Sequence, residues 1–198
     1  KIVMLKKQLL FIILFITSVL SAQTLHWVGG SGNFNDVHHW SLTSGGVSSG
    51  ITPNPGTDLI FDNNSSANDL VINITGLNHI KSLKIQNTNH NYHFTGSNLS
   101  TIHCSGDFIL NEKSFFSANT KLIFSNNSSN YSNVNFWKNI INADVLFEDG
   151  NWNLQSVKIA DNNLLKINKG NYNISNVSVI AGNFESVADN VVFQATHS

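Results

Sequence analysis

Any chemistry in this chain has to come from few side chains: 12 carboxylates, 11 lysines, eight histidines, one cysteine and no arginine. Glycoside hydrolysis needs two carboxyl groups facing each other about 5–9.5 Å apart. Stacking of successive chain segments could bring Asp144, Glu148 or Asp149 towards Asp161 or Asp107. Proton abstraction from a uronate needs a base beside clustered Asp. Without Arg that role falls to Lys, and Lys81, Lys84, Lys113, Lys121, Lys138, Lys158, Lys166 and Lys169 are spread singly, as on solvated faces. The run Asp62-Asn63-Asn64-Ser65-Ser66-Ala67-Asn68-Asp69 sets oxygen atoms at alternating positions. It lacks the Gly at position six and the Glu at position twelve of a calcium-binding helix–loop–helix, so it reads as a structural turn. His38 and His39, near His26, have no third ligand at a zinc spacing, and neighbours on a strand point to opposite faces. His90 and His93 fall in an Asn-rich turn. Cys104, the lone thiol, reads as a small buried hydrophobe. No nucleophile elbow or phosphate-binding loop is present. No catalytic residue, metal or other cofactor is therefore expected in this segment.

The elements that would position these groups are strands. After residue 23 no stretch keeps a helical period; short runs of Val, Ile, Leu and Phe alternate with turn clusters rich in Asn, Gly and Ser. Asn alone occurs 31 times, and Pro only at Pro53 and Pro55. One cysteine cannot build a disulfide scaffold, so stability must come from packing and backbone hydrogen bonds.

Internal repetition sharpens the fold class. Leu59-Ile-Phe61-Asp-Asn-Asn-Ser-Ser66 returns 63 positions later as Leu122-Ile-Phe124-Ser-Asn-Asn-Ser-Ser129. Leu83-Lys-Ile85, Ile102-His-Cys104, Val145-Leu-Phe147 and Leu165-Lys-Ile167 extend the series at intervals of 19 to 24. Riding on it are Gly150-Asn-Trp152-Asn-Leu154, Gly170-Asn-Tyr172-Asn-Ile174, Gly182-Asn-Phe184 and the looser Gly106-Asp-Phe108. Such a period, with several short strands in each, predicts an all-β fold: a right-handed parallel β-helix, each coil laying its strands about 4.8 Å from the one below. Phe61, Phe124 and Phe147 are then inward aromatics, and Asn63 and Asn126 sit at turns where amides stack. The alternative is a β-sandwich, against which stand the scarcity of two-residue hairpin signals and a repeat longer than a hairpin's about 8–12 residues.

The chain opens with a basic stretch (Lys1, Lys6, Lys7), an apolar run from Leu9 to Ile16 and small residues at Ser21-Ala22. That order predicts a secretory signal peptide over 1–22, too short in its apolar core for the about 20 residues of a spanning helix. The protein is then exported, to the medium or the cell surface, with no membrane segment after cleavage. The remainder carries 8 Lys against 12 Asp and Glu, a balance of −4, which argues against nucleic acid as a partner. Residues 23–58 read as an N-terminal cap, with Trp27, Phe34 and Trp40 covering the open edge of the first coil, and 59–198 as coils of about 20–24 residues.

The cap carries Trp27-x-Gly29-Gly30-x-Gly32-Asn33-Phe34, then Trp40-Ser41, then Pro55 and Asp58-x-x-Phe61-Asp62. About 40 residues with this pattern resemble the N-terminal module of large secreted surface proteins of Bacteroidetes-type bacteria. They are also similar to autotransporter-associated β-strand repeats; the later coils match more loosely. The resemblance implies an adhesin-like or polysaccharide-associated solenoid, with a C-terminal sorting module for type IX secretion beyond Ser198. The expectation is a monomeric structural or adhesive solenoid whose partners are glycans or other surface proteins, with Trp137, Trp152 and Tyr172 either exposed as stacking residues or packed inward. Two alternatives remain: the non-catalytic front of a carbohydrate-active enzyme (a polysaccharide lyase or glycoside hydrolase) and, more weakly, a glycan-binding β-sandwich module.

Overall fold

The structure, a computed structural model, describes residues 22–86, 89–97, 99–117, 120–160 and 162–174, together with the backbone of 175, 183–186 and 191–195. The segment read as a signal peptide, residues 1–22, lies outside these residues except for Ala22.

The chain folds as a β-solenoid of about 5 turns. Strands β1 (Gln23–Trp27) and β2 (Gly32–Asn33) open it, followed by a 3-10 turn at Val37–His39 and β3 (Trp40–Ser41). The first full coil is β4 (Thr57–Phe61), β5 (Leu70–Ile74) and β6 (Leu77–Ile80). The second is β7 (Ser82–Ile85), β8 (Tyr92–Gly96) and β9 (Ser100–Cys104), and the third β10 (Phe108–Ile109), β11 (Ser114–Phe116) and β12 (Thr120–Ser125). The described strands of later coils are β13 (Ser132–Asn135), β14 (Asp144–Asp149), β15 (Asn151–Gln155), β16 (Leu164–Ile167), β17 (Gly170–Ser175), β18 (Asn183–Ser186) and β19 (Val191–Ala195).

These strands stack into three sheets. The first runs β3-β1-β4-β7-β10-β13-β15-β17-β19, the second β2-β5-β8-β11, and the third β6-β9-β12-β14-β16-β18. An isolated parallel bridge, Ile141 to Ile159, stands where the second sheet would continue. Among the described residues only β1–β3 is an antiparallel ladder; β4 and β12 are parallel to both neighbours, which excludes the sandwich.

Alternation decides what faces inward. Leu59 and Phe61 on β4, Ile102 and Cys104 on β9, Leu122 and Phe124 on β12, and Val145 and Phe147 on β14 are all buried. They join one continuous core. Phe124 and Phe147, in register on adjacent coils, stack at 4.9 Å. Each fully buried side chain of this size is worth about 1.5–3 kcal/mol, and each aromatic pair about 0.5–1.5 kcal/mol more.

The register differs from the one the repeats suggest. Leu59 pairs with Leu83, then Phe108, Val134, Leu154 and Ile174, all in the first sheet. Ile102, Leu122, Val145 and Leu165 form a separate ladder in the third sheet. The octapeptide at Leu122 therefore does not lie over its copy at Leu59. Any inward apolar triplet reads alike on every face of a solenoid, so similarity in sequence does not say which face a triplet joins. Likewise Trp152 pairs with Tyr172 in the first sheet, whereas Phe184 pairs with Leu165 in the third. Gly182 lies outside the described residues.

The cap is an aromatic plug. Trp27, Phe34 and Trp40 are fully buried. Trp40 meets Trp27, Phe34 and Phe61 edge-on at 5.1, 5.5 and 5.7 Å, and its Nε1–H donates to the Phe34 carbonyl at 2.7 Å. His39 stacks flat on Trp27 at 4.6 Å. Gly32 makes room for it, since a Cβ there would run into the imidazole. The cap also contributes a rung: β1 is parallel to β4, with Leu25 beside Leu59, so the boundary placed at residue 58 falls within β4.

Cys104 is fully buried, its Sγ 3.3 Å from the Lys81 carbonyl oxygen. Burial pushes the thiol from an ordinary 9.0 up to about 12. Thiol reagents should accordingly leave the folded protein unlabelled at mildly alkaline pH and label it once denaturant is added. The folded-state pKa is raised, so the stability it contributes is complete below pH 9 and disappears as pH climbs towards 12. Denaturant titrations across that window would show the decline in the parent and less of it in Cys104→Ala.

Candidate binding surface

The three aromatics expected to stack on sugars divide between inside and outside. Trp152 and Tyr172 are buried, the inward of the two placements, which removes them as exposed stacking residues. Trp152 meets Phe124 and Phe147 at 5.7 Å and donates from Nε1 to the Asp149 carbonyl at 3.0 Å. Tyr172 meets Phe147 at 5.8 Å, and its hydroxyl donates to the Lys169 carbonyl at 2.9 Å. Each aromatic sits between two asparagines, and on a two-residue period one kind must point inward. The apolar rings go to the core.

Trp137 is the exposed one, at 45%. It has φ 58°, in the left-handed region, which costs a non-glycine residue roughly 1–2 kcal/mol. The Asn135 side chain caps its N–H at 2.7 Å. Buried Phe136 and Asn139 flank the exposed segment, and Asn139 donates to the Asn111 and Phe136 carbonyls. A large apolar ring is thus held in water on a strained, pinned loop.

The asparagines opposite the buried rings make the most ordered feature of the outer surface. On the first sheet Asn153 Nδ2 donates to Asn133 Oδ1 at 3.1 Å, and Asn173 Nδ2 to Asn153 Oδ1 at 3.0 Å. Beside this row Asn135 donates to Gln155 at 3.1 Å and Asn171 to Asn151 at 2.7 Å. Amides were expected to stack at turns such as Asn63 and Asn126; the rows instead run across strands. Asn126 does bind between coils, accepting from the Asn151 N–H at 3.3 Å, while Asn63 is exposed at its turn. The alternation Asn151-Trp152-Asn153 and Asn171-Tyr172-Asn173 carried the signal for the rows.

Two grooves adjoin them. One, of about 310 Å³, is lined by Asn126, Asp149, Asn151, Lys169 and Asn171, with Lys169 Nζ 3.2 Å from Asp149 Oδ2. The other, about 470 Å³, includes Asp58, Lys81, Ser82, Lys84 and Asp107. Its charges are matched: Lys81 to Asp58 at 2.8 Å and Lys84 to Asp107 at 2.9 Å. Burial alone would raise Asp107, but the Asn133 backbone N–H and the Lys84 ammonium outweigh it and hold the carboxyl below its usual range. Asp107 also accepts from Asn133 Nδ2 at 3.2 Å, joining the charged half of the face to the amide half.

Several of the catalytic and metal candidates make local hydrogen bonds. Asp107 is tied to Lys84 and Asn133, Asp144 accepts the Leu164 N–H at 2.9 Å, and Asp149 accepts the Gly150 N–H at 2.7 Å. Asp161 lies outside the described residues. At Asp62 the polar groups serve the turn and the neighbouring strand: Oδ1 accepts the Asn64 N–H and the Asp62 N–H donates to Ser65 Oγ, both at 2.9 Å, while Oδ2 lies 3.0 Å from His26 Nδ1. His38 and His39 occupy the 3-10 turn rather than a strand. Among the described residues no group of three or more His, Cys, Asp or Glu converges as a metal site, and no helix is long and apolar enough to cross a membrane.

No protein-family model, curated protein or solved structure matches the chain. Its function has to be argued from this surface.

Proposed function

We propose that this protein is an exported, non-catalytic solenoid that binds glycans at a cell surface through the outer face of its first sheet. The observation that carries the reading is the in-register amide rows Asn133–Asn153–Asn173, Asn135–Gln155 and Asn151–Asn171. An amide has two N–H donors and two lone pairs. Each Asn-to-Asn link engages one donor and one acceptor lone pair, so Asn153, central in its row, keeps a second of each beyond the row. Sugar hydroxyls need both kinds of partner. Repetition at the strand spacing of about 4.8 Å suits a polymer with repeating units better than a single small molecule. Trp137, exposed and pinned, supplies a ring for stacking. The basic, apolar and small-residue opening of the chain supports export.

Glycan-array binding of the purified protein tests this, with Trp137→Asn alongside. Asparagine tolerates the left-handed conformation better than tryptophan. The variant should therefore bind more weakly while keeping the parent's thermal stability or gaining about 1 kcal/mol. A folded parent that binds no glycan would sink the proposal. A variant that binds as well as the parent would remove Trp137 from the site.

A further inference from the structure

The outer face of the third sheet carries a different chemistry. His79 on β6 and His103 on β9 are direct partners across adjacent coils. Their neighbours Ile80 and Cys104 are buried, so alternation points both imidazoles outward. The ring centroids lie 4.9 Å apart with the planes tilted by 43°, close to the strand spacing that sets them. His103 Nε2 lies 3.1 Å from Ser125 Oγ on β12. His79 is exposed and His103 partly buried, and Glu148 on β14 acts on His103 electrostatically.

We propose that His79 and His103 form a two-imidazole site for a borderline transition-metal cation, Cu²⁺ or Zn²⁺, with Ser125 orienting His103 and water completing the coordination. Metal–nitrogen bonds of about 2.0–2.1 Å require the two ligating nitrogens to come within roughly 3–4 Å. The ring centroids are 4.9 Å apart, and rotation of exposed His79 can bring its nitrogen closer. When Ser125 Oγ accepts the Nε2–H of His103, the tautomer is fixed and the Nδ1 lone pair is left for the metal, the usual second-partner arrangement of a histidine ligand. Imidazole pairs suit Cu²⁺ and Zn²⁺ better than the hard cations, which prefer oxygen. The site lies on a different sheet from the amide rows and does not depend on the glycan reading.

Titration calorimetry of the purified protein with CuCl₂ or ZnCl₂ alone should show one tight ion per chain. His79→Ala and His103→Ala should each weaken it by about tenfold or more, whereas His93→Ala, on the second sheet, should leave it unchanged. Electron paramagnetic resonance of the Cu²⁺ form should count two imidazole nitrogens in the parent and one in His79→Ala. No binding by the parent, equal affinity in the His79 variant, or an unchanged nitrogen count would each overturn the proposal. His79 is exposed, so its replacement tests the site even if His103→Ala fails to fold.

Discussion

Trp152→Ala is expected to destabilise the fold by about 3–5 kcal/mol, a large share of the roughly 5–15 kcal/mol that holds a domain together. The indole is fully buried against Phe124 and Phe147. Its loss opens a cavity at the junction of the first and third sheets and removes one of the two donors to the Asp149 carbonyl, leaving the Asn126 N–H at 3.2 Å. The variant separates a core role from a binding role. Denaturant unfolding should show a midpoint far below the parent's. Any loss of glycan binding should track the unfolded fraction and vanish under conditions where the variant is fully folded. A Trp152→Ala protein with near-parent stability would mean that the ring is not packed as described.

Gly170→Ala should be nearly as damaging. Gly170 has φ 135°, and a Cβ there would lie 3.0 Å from Gly150 N and nearer still to the Gly150 carbonyl oxygen. That oxygen is the acceptor for the Asn171 N–H at 2.9 Å, so relieving the clash pushes the two coils apart at a rung bond. Overpacking costs about 1–3 kcal/mol and the backbone conformation about 1–2 kcal/mol more. The combined loss, about 3 kcal/mol, should appear as a lower thermal midpoint. Hydrogen exchange should quicken at Asn171 and Tyr172 first, because β17 is the strand displaced. Gly150 has the same constraint one coil earlier, where a Cβ would meet Asn126. Equal stability of Gly170→Ala and the parent would show that the coils are not in close contact at this corner.

Much of the architecture is legible in the sequence. The spacing of apolar triplets pointed to stacked coils, and the aromatics between residues 27 and 40 to a cap. Phe61, Phe124 and Phe147 were assigned inward, and they are buried. The outward-facing surface is less legible in the sequence. Trp152 and Tyr172 drew attention because large rings suit sugar stacking, yet the asparagines on either side were the outward residues. Alternation places Asn151, Asn153 and Trp152 on opposite faces, but only the position of the core says which face is wet. The His79–His103 pair has no sequence signal: the residues are 24 positions apart and become neighbours only when β6 and β9 align.

The amino-acid sequence by itself determined an all-β chain of short strands, its repeat near 20 to 24 residues and the aromatic richness of its first segment, because these depend on local preference and on an alternation written residue by residue. The tertiary structure decided which sheet each triplet enters, that Trp152 and Tyr172 face the core, and which polar side chains meet from coil to coil. The physical reason lies in the turns. In the first sheet the partners advance by 24, 25, 26, 20 and 20 residues, so no single period predicts the register. Lateral neighbours follow from how much chain each corner consumes, and that is settled by packing inside the coil rather than by the strands themselves.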